Sequence, residues 1–212
     1  MIKLTLQAIR QTLVWTVVAG ILYPLVMTVF AQLFFHNQAG GSLVMRDGKI
    51  IGSALLAQQF QGTNYFWPRP SANSYGTGPT GISASSGSNF GPTSGKLQAG
   101  VSNNAVAFLT GNNLATNATV PADMVYASAS GLDPHISPEA ARLQIARVAA
   151  SRGLSEDKVR ELVEKFVELP QWGFLGEPRV NVLLLNVALD ELTSQKPGQA
   201  AQKSASESSG RI

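Results

Sequence analysis

An uncharged stretch near the N-terminus constrains this chain more than any other feature. No residue between Arg10 and Arg46 carries a formal charge, and apolar residues are densest over positions 13–35. About 23 residues that rise about 1.5 Å each give a helix about 34 Å long, enough to cross a hydrocarbon core of about 30 Å. The sequence therefore predicts a transmembrane helix over 13–35, preceded by a short segment 1–12.

A cleavable signal peptide is the competing interpretation of this stretch. The apolar region is longer than the core of about 7 to 15 residues that signal peptides have. No small-x-small cleavage site follows it closely, because Ala31 and Ala39 are flanked by bulky or amide side chains. Both points favour a retained anchor.

The flanking charges predict the orientation of the anchor. Lys3 and Arg10 precede the span, and the next cationic residue is Arg46. The positive-inside rule then keeps the N-terminus in the cytoplasm and exports the rest of the chain. The exported part is nearly neutral and has no basic stripe interleaved with aromatic residues, which excludes nucleic acid as a partner.

Small or polar residues recur at every fourth position through the span. One interpretation is a ridge that docks on a neighbouring membrane helix, since small residues allow close approach and a neighbour can satisfy the carbonyl that proline leaves without a donor. A generic anchor that simply tolerates glycine and proline explains the pattern equally well. The docking candidates are Thr16, Gly20, Pro24, Thr28 and Gln32.

Beyond the anchor the sequence predicts one exported α+β domain over 36–193. Asp47-Gly48 suits a type I′ turn between strands over 43–45 and 49–55. The region 65–95 is rich in Gly, Pro, Ser and Asn, which excludes regular helix. Its aromatic cluster at 65–67 favours a docking surface over a disordered linker, because disordered linkers are poor in aromatic residues.

The C-terminal half has the clearest secondary-structure pattern. We predict a short strand over 124–127, then a helix that Ser137 caps and Gly153 ends. A second helix follows Ser155, and a third covers 182–193, where the segment 180–184 also suits a strand. The composition after Thr193 predicts a disordered tail over 194–212.

The sequence offers little material for catalysis. There is no cysteine, so thiol nucleophiles and thiolate metal sites are excluded. His36 lies at the membrane boundary, and a turn explains His135 better than a metal or a catalytic role. We therefore predict no catalytic residue and no metal site.

Two glycine-containing segments are candidate phosphate-binding loops. The stretch 91–96, GPTSGK, is one residue too short for a P-loop, and Leu97 stands where the magnesium-binding hydroxyl would be. The stretch 85–89, SSGSN, is a donor-rich turn that can cup an anion or be a plain loop.

Several motifs in one order resemble the C chain of the bacterial Kdp potassium-transporting ATPase. The resemblance runs from the anchor to about Leu192, with Ala57 and Ser86 where that family often has glycine. The motifs are the span with its Tyr-Pro pair, GSALLAQQF, YFWPRPSA, SSGSN, ASGLDPHISPEAA, RVAASRGLS and VNVLLLNVALD.

The resemblance implies a non-catalytic accessory subunit in a bacterial inner-membrane complex. Its partners would be a channel-like potassium-binding subunit, a P-type ATP-hydrolysing subunit and the lipid bilayer. The family is described as assembling the complex and as a catalytic chaperone that raises the ATP affinity of the hydrolysing subunit. ATP and potassium would then act at the level of the complex, with no cofactor held by this chain.

The same resemblance suggests which residues carry the role. A possible nucleotide contact falls on Ser85, Gly87, Ser88 and Asn89, although the exported orientation opposes it because ATP is scarce outside the cell. An exported docking surface would use the 65–95 loop and the 130–133 turn, unless these residues only hold the domain's own loops together. The candidates for this surface are Gln58, Tyr65, Phe66, Arg69, Ser71, Ser130, Gly131 and Asp133. A membrane-tethered exported binding or envelope protein that acts alone is the alternative function.

Overall fold

The computed structural model describes residues 2–72 and 85–194, and the chain divides into two compact units. The first unit is Met1–Ser53 and the second is Ala54–Ile212. Within these limits the fold is α+β with an N-terminal apolar helix, as predicted. The predicted disordered tail, apart from Ser194, and positions 73–84 of the long loop lie outside the described residues.

The first unit begins with a long apolar helix. Helix α1 (Ile2–Val17), a π-helical turn (Val18–Leu22) and helix α2 (Tyr23–Phe34) form 33 continuous helical residues with a mean hydropathy of 2.1 in their most apolar window. No residue in that window is buried within the protein. It is the one helix in the described part of the chain that is long and apolar enough to cross a membrane. It begins well before position 13.

A short helix and a hairpin complete the first unit. Helix α3 (His36–Ala39) leads to strands β1 (Leu43–Arg46) and β2 (Lys49–Ser53). Both residues of the connecting loop are left-handed, with φ of 51° at Asp47 and 74° at Gly48. This conformation defines a type I′ turn, so the predicted hairpin is confirmed. Strand β2 ends two residues earlier than predicted.

The second unit surrounds a small antiparallel sheet with helices. Its three strands lie in the order β3-β5-β4, with Ile136 and Val167 both opposite Val180. Its elements are α4 (Gly95–Gly111), α5 (Ala122–Val125), β3 (His135–Ile136), α6 (Pro138–Leu143), α7 (Ile145–Arg152), α8 (Glu156–Lys165), β4 (Val167–Glu168), β5 (Arg179–Asn181) and α9 (Val182–Ser194).

The core of the second unit lies where the sheet meets α6 to α9. Helix α8 packs against α6, α7 and α9, and its buried residues Val159 and Val163 lie on the predicted apolar face. Single aromatic side chains from outside this region, Phe66 and Phe108, extend the core toward α4. The fully buried side chains at its centre include Ile136, Ile145, Val148, Val180, Leu185 and Leu189.

Local signals set the limits of the helices that the sequence predicted. The Ser137 hydroxyl accepts a hydrogen bond from the Ala140 N–H over 3.1 Å, which confirms the N-cap. Gly153 is left-handed, with φ of 59°, and ends α7. The predicted single helix is nevertheless two helices, because Gln144 (φ −90°, ψ −9°) interrupts it.

Three parts of the predicted secondary structure need correction. The predicted strand over 124–127 is wrong, because this region begins with helix α5. The Asp123 carboxylate fixes that helix by accepting from the N–H (2.7 Å) and the hydroxyl (3.1 Å) of Ser137. The segment 180–184 is divided between the end of β5 and the start of α9. Helix α4 was not predicted.

Candidate docking surface

The predicted aromatic segment 65–67 is held by two buried amide side chains. Asn186 on α9 accepts from the Phe66 N–H over 2.8 Å and donates to the Phe66 carbonyl oxygen over 2.9 Å. Gln144 accepts from the Trp67 N–H over 2.8 Å, and its Nε2 donates to the Trp67 carbonyl oxygen over 3.4 Å. Each amide thus replaces the pair of hydrogen bonds that a neighbouring antiparallel strand would supply.

Arg147 also holds this segment, through a hydrogen bond to its main chain and a contact with the Trp67 ring. Its side chain is buried, and its guanidinium carbon lies 4.0 Å from the centroid of the Trp67 ring. Burial lowers the pKa of Arg147 to about 10, so the group remains protonated at neutral pH. Its hydrogen bonds, between 2.5 and 2.9 Å, go to oxygen atoms of Asn112, Gln144, Thr63 and Tyr65.

The end of helix α4 is shaped to accept the Trp67 ring. A Cβ atom placed on Gly111 would lie 2.6 Å from Cζ3 of Trp67 and closer still to Cη2. Only glycine therefore lets the backbone approach the ring face so closely. The indole N–H donates to the Gly62 carbonyl oxygen over 3.0 Å, which fixes the remaining freedom of the ring.

Tyr65 has its own set of partners on α7 and α9. The Arg152 guanidinium carbon lies 4.7 Å from the Tyr65 ring centroid, and the Tyr65 hydroxyl donates to Asp190 Oδ2 over 3.3 Å. Arg152 and Asp190 form an ion pair of 2.8 Å. Phe66 is fully buried between these neighbours and takes part in no external surface of this unit. Its contribution is to position Tyr65 and Trp67.

The second group of candidates centres on an ion pair. Arg69 Nη1 lies 2.6 Å from Asp133 Oδ2, and Asp133 Oδ1 accepts from the His135 N–H over 3.0 Å. Burial raises the pKa of Asp133, but hydrogen bonds from the side chain and backbone of His135 and from Arg69 outweigh it. Together these effects lower the pKa of Asp133 to about 2. Asp133 is therefore ionised throughout the physiological pH range.

The turn 128–133, which we call the hydroxyl-rich turn, leads directly into this ion pair. The Ser71 hydroxyl donates to the Gly131 carbonyl oxygen over 2.9 Å, and the Ser130 hydroxyl accepts from the Leu132 N–H over 3.1 Å. Gly131 adopts φ of 70°, which suits glycine. The half-buried Gln58 follows Ala57, whose N–H donates to the Leu132 carbonyl oxygen over 2.9 Å. The structure therefore brings the candidates from three separate segments together.

Arg69 and Asp133 lie between two open clefts of the second unit. The larger cleft has a volume of about 640 Å³ and mixes acidic and basic side chains. Its acidic, basic and histidine lining residues are Arg69, Asp123, Asp133, His135, Glu139, Glu177 and Arg179. The other cleft, of about 510 Å³, is lined by the hydroxyl-rich turn. This polar, partly exposed region suits contact with a protein, and its docking role stays a prediction.

The predicted nucleotide turn packs against the same hydroxyl-rich turn. The Ser85 hydroxyl donates to the Ser130 carbonyl oxygen over 2.9 Å, and a Cβ atom on Gly87 would lie 2.8 Å from the Ala129 carbonyl oxygen. Asn89 is left-handed with φ of 52°. Gly87 and Ser88 line a cleft of about 360 Å³ together with Lys96. A contact between this turn and ATP remains a prediction.

The membrane ridge lies on the long helix of the first unit. Pro24 lacks the N–H that would bond to the Gly20 carbonyl oxygen, and the π-helical turn Val18–Leu22 accommodates this defect. The Thr28 hydroxyl donates to the Pro24 carbonyl oxygen over 2.8 Å. A Cβ atom on Gly20 would meet nothing within 4 Å. All five ridge candidates are exposed within this unit, and their role in docking stays a prediction.

Comparison with known proteins decides the family. A model of the KdpC family, described as the c chain of a K⁺-transporting ATPase, matches residues 5–191. The chain belongs to this family. The potassium-transporting ATPase KdpC subunits of Methylococcus capsulatus and Geobacter metallireducens are each 50% identical to it, over 87% of this chain and 96% of each relative. The KdpC subunit of Polaromonas naphthalenivorans is 52% identical over 84% of this chain and 90% of the relative. The resemblance found in the sequence motifs is confirmed.

Sequence reasoning missed the residues that hold the family's aromatic motif in place. Gln144 and Asn186 lie on helical segments where polar residues at such positions usually face solvent, but both are buried. Arg147 likewise lies in a stretch whose pattern indicates an ordinary amphipathic helix. The spacing carries a local signal for two of them. Gln144, between α6 and α7, follows the buried Ala141 by three residues, and Asn186 on α9 precedes the buried Leu189 by three, so both stand at positions of an apolar face.

Proposed function

We propose that this chain is a non-catalytic accessory subunit that assembles and stabilises an ATP-driven potassium uptake complex. The family match carries this proposal, because it covers both the membrane helix and the second unit and so includes both predicted docking surfaces. The ordered polar groups around Arg69 and Asp133 support it further. They hydrogen-bond to one another in a preformed surface, which suits binding of a protein.

The chain lies in the bacterial inner membrane with its N-terminus in the cytoplasm and its second unit exported. Lys3 and Arg10 before the span support this orientation. The absence of cysteine makes a direct test simple. A cysteine at Asn103, on the exposed side of α4, should react with an impermeant maleimide in intact spheroplasts, whereas a cysteine at Gln7 should react only after lysis. The reverse pattern would overturn the orientation.

The partners are the channel-like potassium-binding subunit and the P-type ATP-hydrolysing subunit. The membrane ridge gives a surface for a neighbouring helix, and the region around Arg69 and Asp133 gives a surface for the exported side of the complex. ATP and potassium bind at the level of the complex and not to this chain alone. The chain raises the ATP affinity of the hydrolysing subunit through their shared contacts, which is a coupling between separate sites.

Co-purification tests the accessory role. The tagged chain is extracted from its native membrane in mild detergent, and the proteins that accompany it are identified by mass spectrometry. We expect a P-type ATPase subunit and a channel-like subunit in comparable amounts. Recovery of a monodisperse chain without these subunits would instead support the alternative, a tethered exported protein that acts alone.

The indirect effect on ATP is tested at the turn 85–89. Ser88→Ala should leave the KM for ATP of the assembled complex unchanged, because this turn lies on the exported side. Gly87→Ala is less suitable, since its Cβ would collide with the Ala129 carbonyl oxygen. A large rise in the KM for ATP in a fully assembled complex that carries Ser88→Ala would indicate direct contact with the nucleotide and would contradict the proposal.

A further inference from the structure

An apolar loop projects from the second unit between β4 and β5. We define the Trp172 loop as residues 169–176, sequence LPQWGFLG, which contain no formal charge. Four of its eight residues are large, apolar and exposed: Leu169 (77%), Trp172 (84%), Phe174 (73%) and Leu175 (45%). Large aromatic residues exposed together in this way mark an interaction site more often than an ordinary surface.

The Trp172 loop is ordered by its own backbone. Gln171 and Leu175 exchange two N–H···O=C bonds of 3.0 and 2.9 Å, and the Gly173 N–H donates to the Pro170 carbonyl oxygen over 3.0 Å. Trp172 adopts φ of 54°, a left-handed conformation that is uncommon for an aromatic residue. Strand β5 anchors one end of the loop through the fully buried Val180. The loop therefore presents its aromatic rings on a fixed frame, which lowers the entropy cost of binding.

The base of the loop joins the candidate docking surface. Glu177 and Arg179, the first and third residues after the loop, line the 640 Å³ cleft together with Arg69 and Asp133. Arg179 is paired with Glu168 over 2.9 Å. Glu177 has no ion-pair partner within residues 2–72 and 85–194, so the rim next to the loop carries one uncompensated negative charge.

We infer that the Trp172 loop is the apolar anchor by which the exported unit binds another subunit of the same complex. The inference rests on the proposed accessory function. Its partner surface is an apolar socket that takes Trp172 and Phe174, with a basic residue on its rim facing Glu177. An aromatic anchor beside a polar, charged cleft has the composition of a protein interface, in which buried aromatic hot spots are surrounded by a polar rim.

A lipid surface fits these observations less well. Loops and helices that bind bilayers combine apolar residues with cations that attract anionic headgroups. Here Arg179, the cation nearest to the loop in the sequence, is already paired with Glu168, and Glu177 would be repelled by an anionic surface. The larger cleft with Arg69 and Asp133 would also remain empty against a bilayer.

Site-specific photocrosslinking in the complete complex tests the inference. All subunits are co-expressed, and benzoylphenylalanine, which keeps an aromatic ring, replaces Trp172. The same group at Val106, which is 63% exposed on α4, is the matched control. After purification and irradiation we expect a crosslink from position 172 to another subunit, at least five times stronger than from position 106. In parallel, Trp172→Ala should abolish the recovery of that subunit. Trp172→Phe, which keeps an aromatic ring, should retain it.

Each outcome has a distinct meaning. Crosslinks from position 172 to lipid alone, or to protein no more strongly than from Val106, would overturn the Trp172 anchor while the recovered complex still supports the accessory function. Failure of the unmodified chain to bring down any subunit would overturn both. Unchanged recovery with Trp172→Ala would also contradict the anchor, because removal of the ring would then leave the binding intact.

Discussion

The Asn186 side chain exchanges two hydrogen bonds with the main chain of Phe66, at 2.8 and 2.9 Å, across 120 residues of sequence. Gln144 makes the equivalent pair with Trp67. An irregular, proline-flanked segment thus has its buried polar groups satisfied without belonging to a sheet. This arrangement fixes the position of Tyr65 and Arg69 on the surface of the second unit.

Asn186→Ala should destabilise the second unit strongly. The change leaves the buried N–H and carbonyl groups of Phe66 without partners, which costs about 2 to 3 kcal/mol of unfolding free energy. Asn103→Ala, at an exposed position of α4, is the matched control and should change it by less than about 0.5 kcal/mol. Urea unfolding of the full chain in detergent measures both, and equal effects of the two variants would contradict the role given to Asn186.

Two glycines of helix α4 should respond in opposite directions to alanine. Gly111→Ala forces its Cβ into the Trp67 ring and should cost about 1 to 3 kcal/mol of stability. Gly100→Ala meets nothing within 4 Å and should stabilise the helix by about 0.5 to 1 kcal/mol. Thermal unfolding monitored by circular dichroism separates the two. A neutral Gly111 variant would show that Trp67 does not require this close approach.

Asp133, which accepts hydrogen bonds from His135 and Arg69, should give the domain a specific acid sensitivity. The pKa of Asp133 is lowered in the fold from its ordinary 3.8 to about 2, so the unfolded chain takes up this proton first as pH falls. The resulting stability, about 1 to 2 kcal/mol after solvent screening, is present above pH 4 and is lost as pH falls from about 4 to about 2.

Asp133→Asn provides the comparison for this prediction. The difference in unfolding free energy between the two proteins should be constant above pH 4 and should shrink below it. Measurement at several pH values between 2 and 6 tests this. A difference that stays constant down to pH 2 would show that Asp133 has an ordinary pKa in the fold.

Leucine at Gly20 and Thr28 should weaken association with the membrane-embedded subunits. The isolated helix has room for the larger side chains, since nothing lies within 4 Å of a Cβ on Gly20. Any loss therefore reports on a neighbouring helix that approaches closely. Val29→Leu, elsewhere on the same helix, is the control. Unchanged co-purification of the Gly20 and Thr28 variants would support a generic anchor.

The sequence predicted those elements whose signals are local. The Asp47-Gly48 turn, the Ser137 cap and the Gly153 stop each depend on a few adjacent residues, and each is observed. Helix α4 has no such signal, because its glycines, serine and asparagines lower helix propensity and only Phe108 is buried. Its contacts are with α5 and include a hydrogen bond of 2.9 Å from Asn104 Nδ2 to the Val125 carbonyl oxygen, which no local pattern predicts. The prediction of a strand over 124–127 was wrong because a distant residue decides the local structure. The Ser137 N–H donates to the Asp123 carboxylate and so holds Asp123 in α5.

The candidate surface likewise combines residues that the sequence predicted with residues that depend on distant contacts. Family motifs identified Tyr65, Arg69 and Asp133, and the structure places the last two in one ion pair. The residues that support them were not predicted, because the spacing that places Gln144 and Asn186 among apolar residues does not show that they bind the main chain of Phe66 and Trp67. The exposed Trp172 loop was not predicted either, because the exposure of its apolar residues depends on how the rest of the unit packs.

Reconstitution with and without this chain tests the accessory role most directly. The other subunits are purified from a strain that lacks it, and potassium-stimulated ATP hydrolysis is measured before and after adding the chain at a range of ATP concentrations. We expect little activity without it, recovery on addition, and a lower KM for ATP in its presence. Full activity and an unchanged KM without the chain would contradict the proposed function.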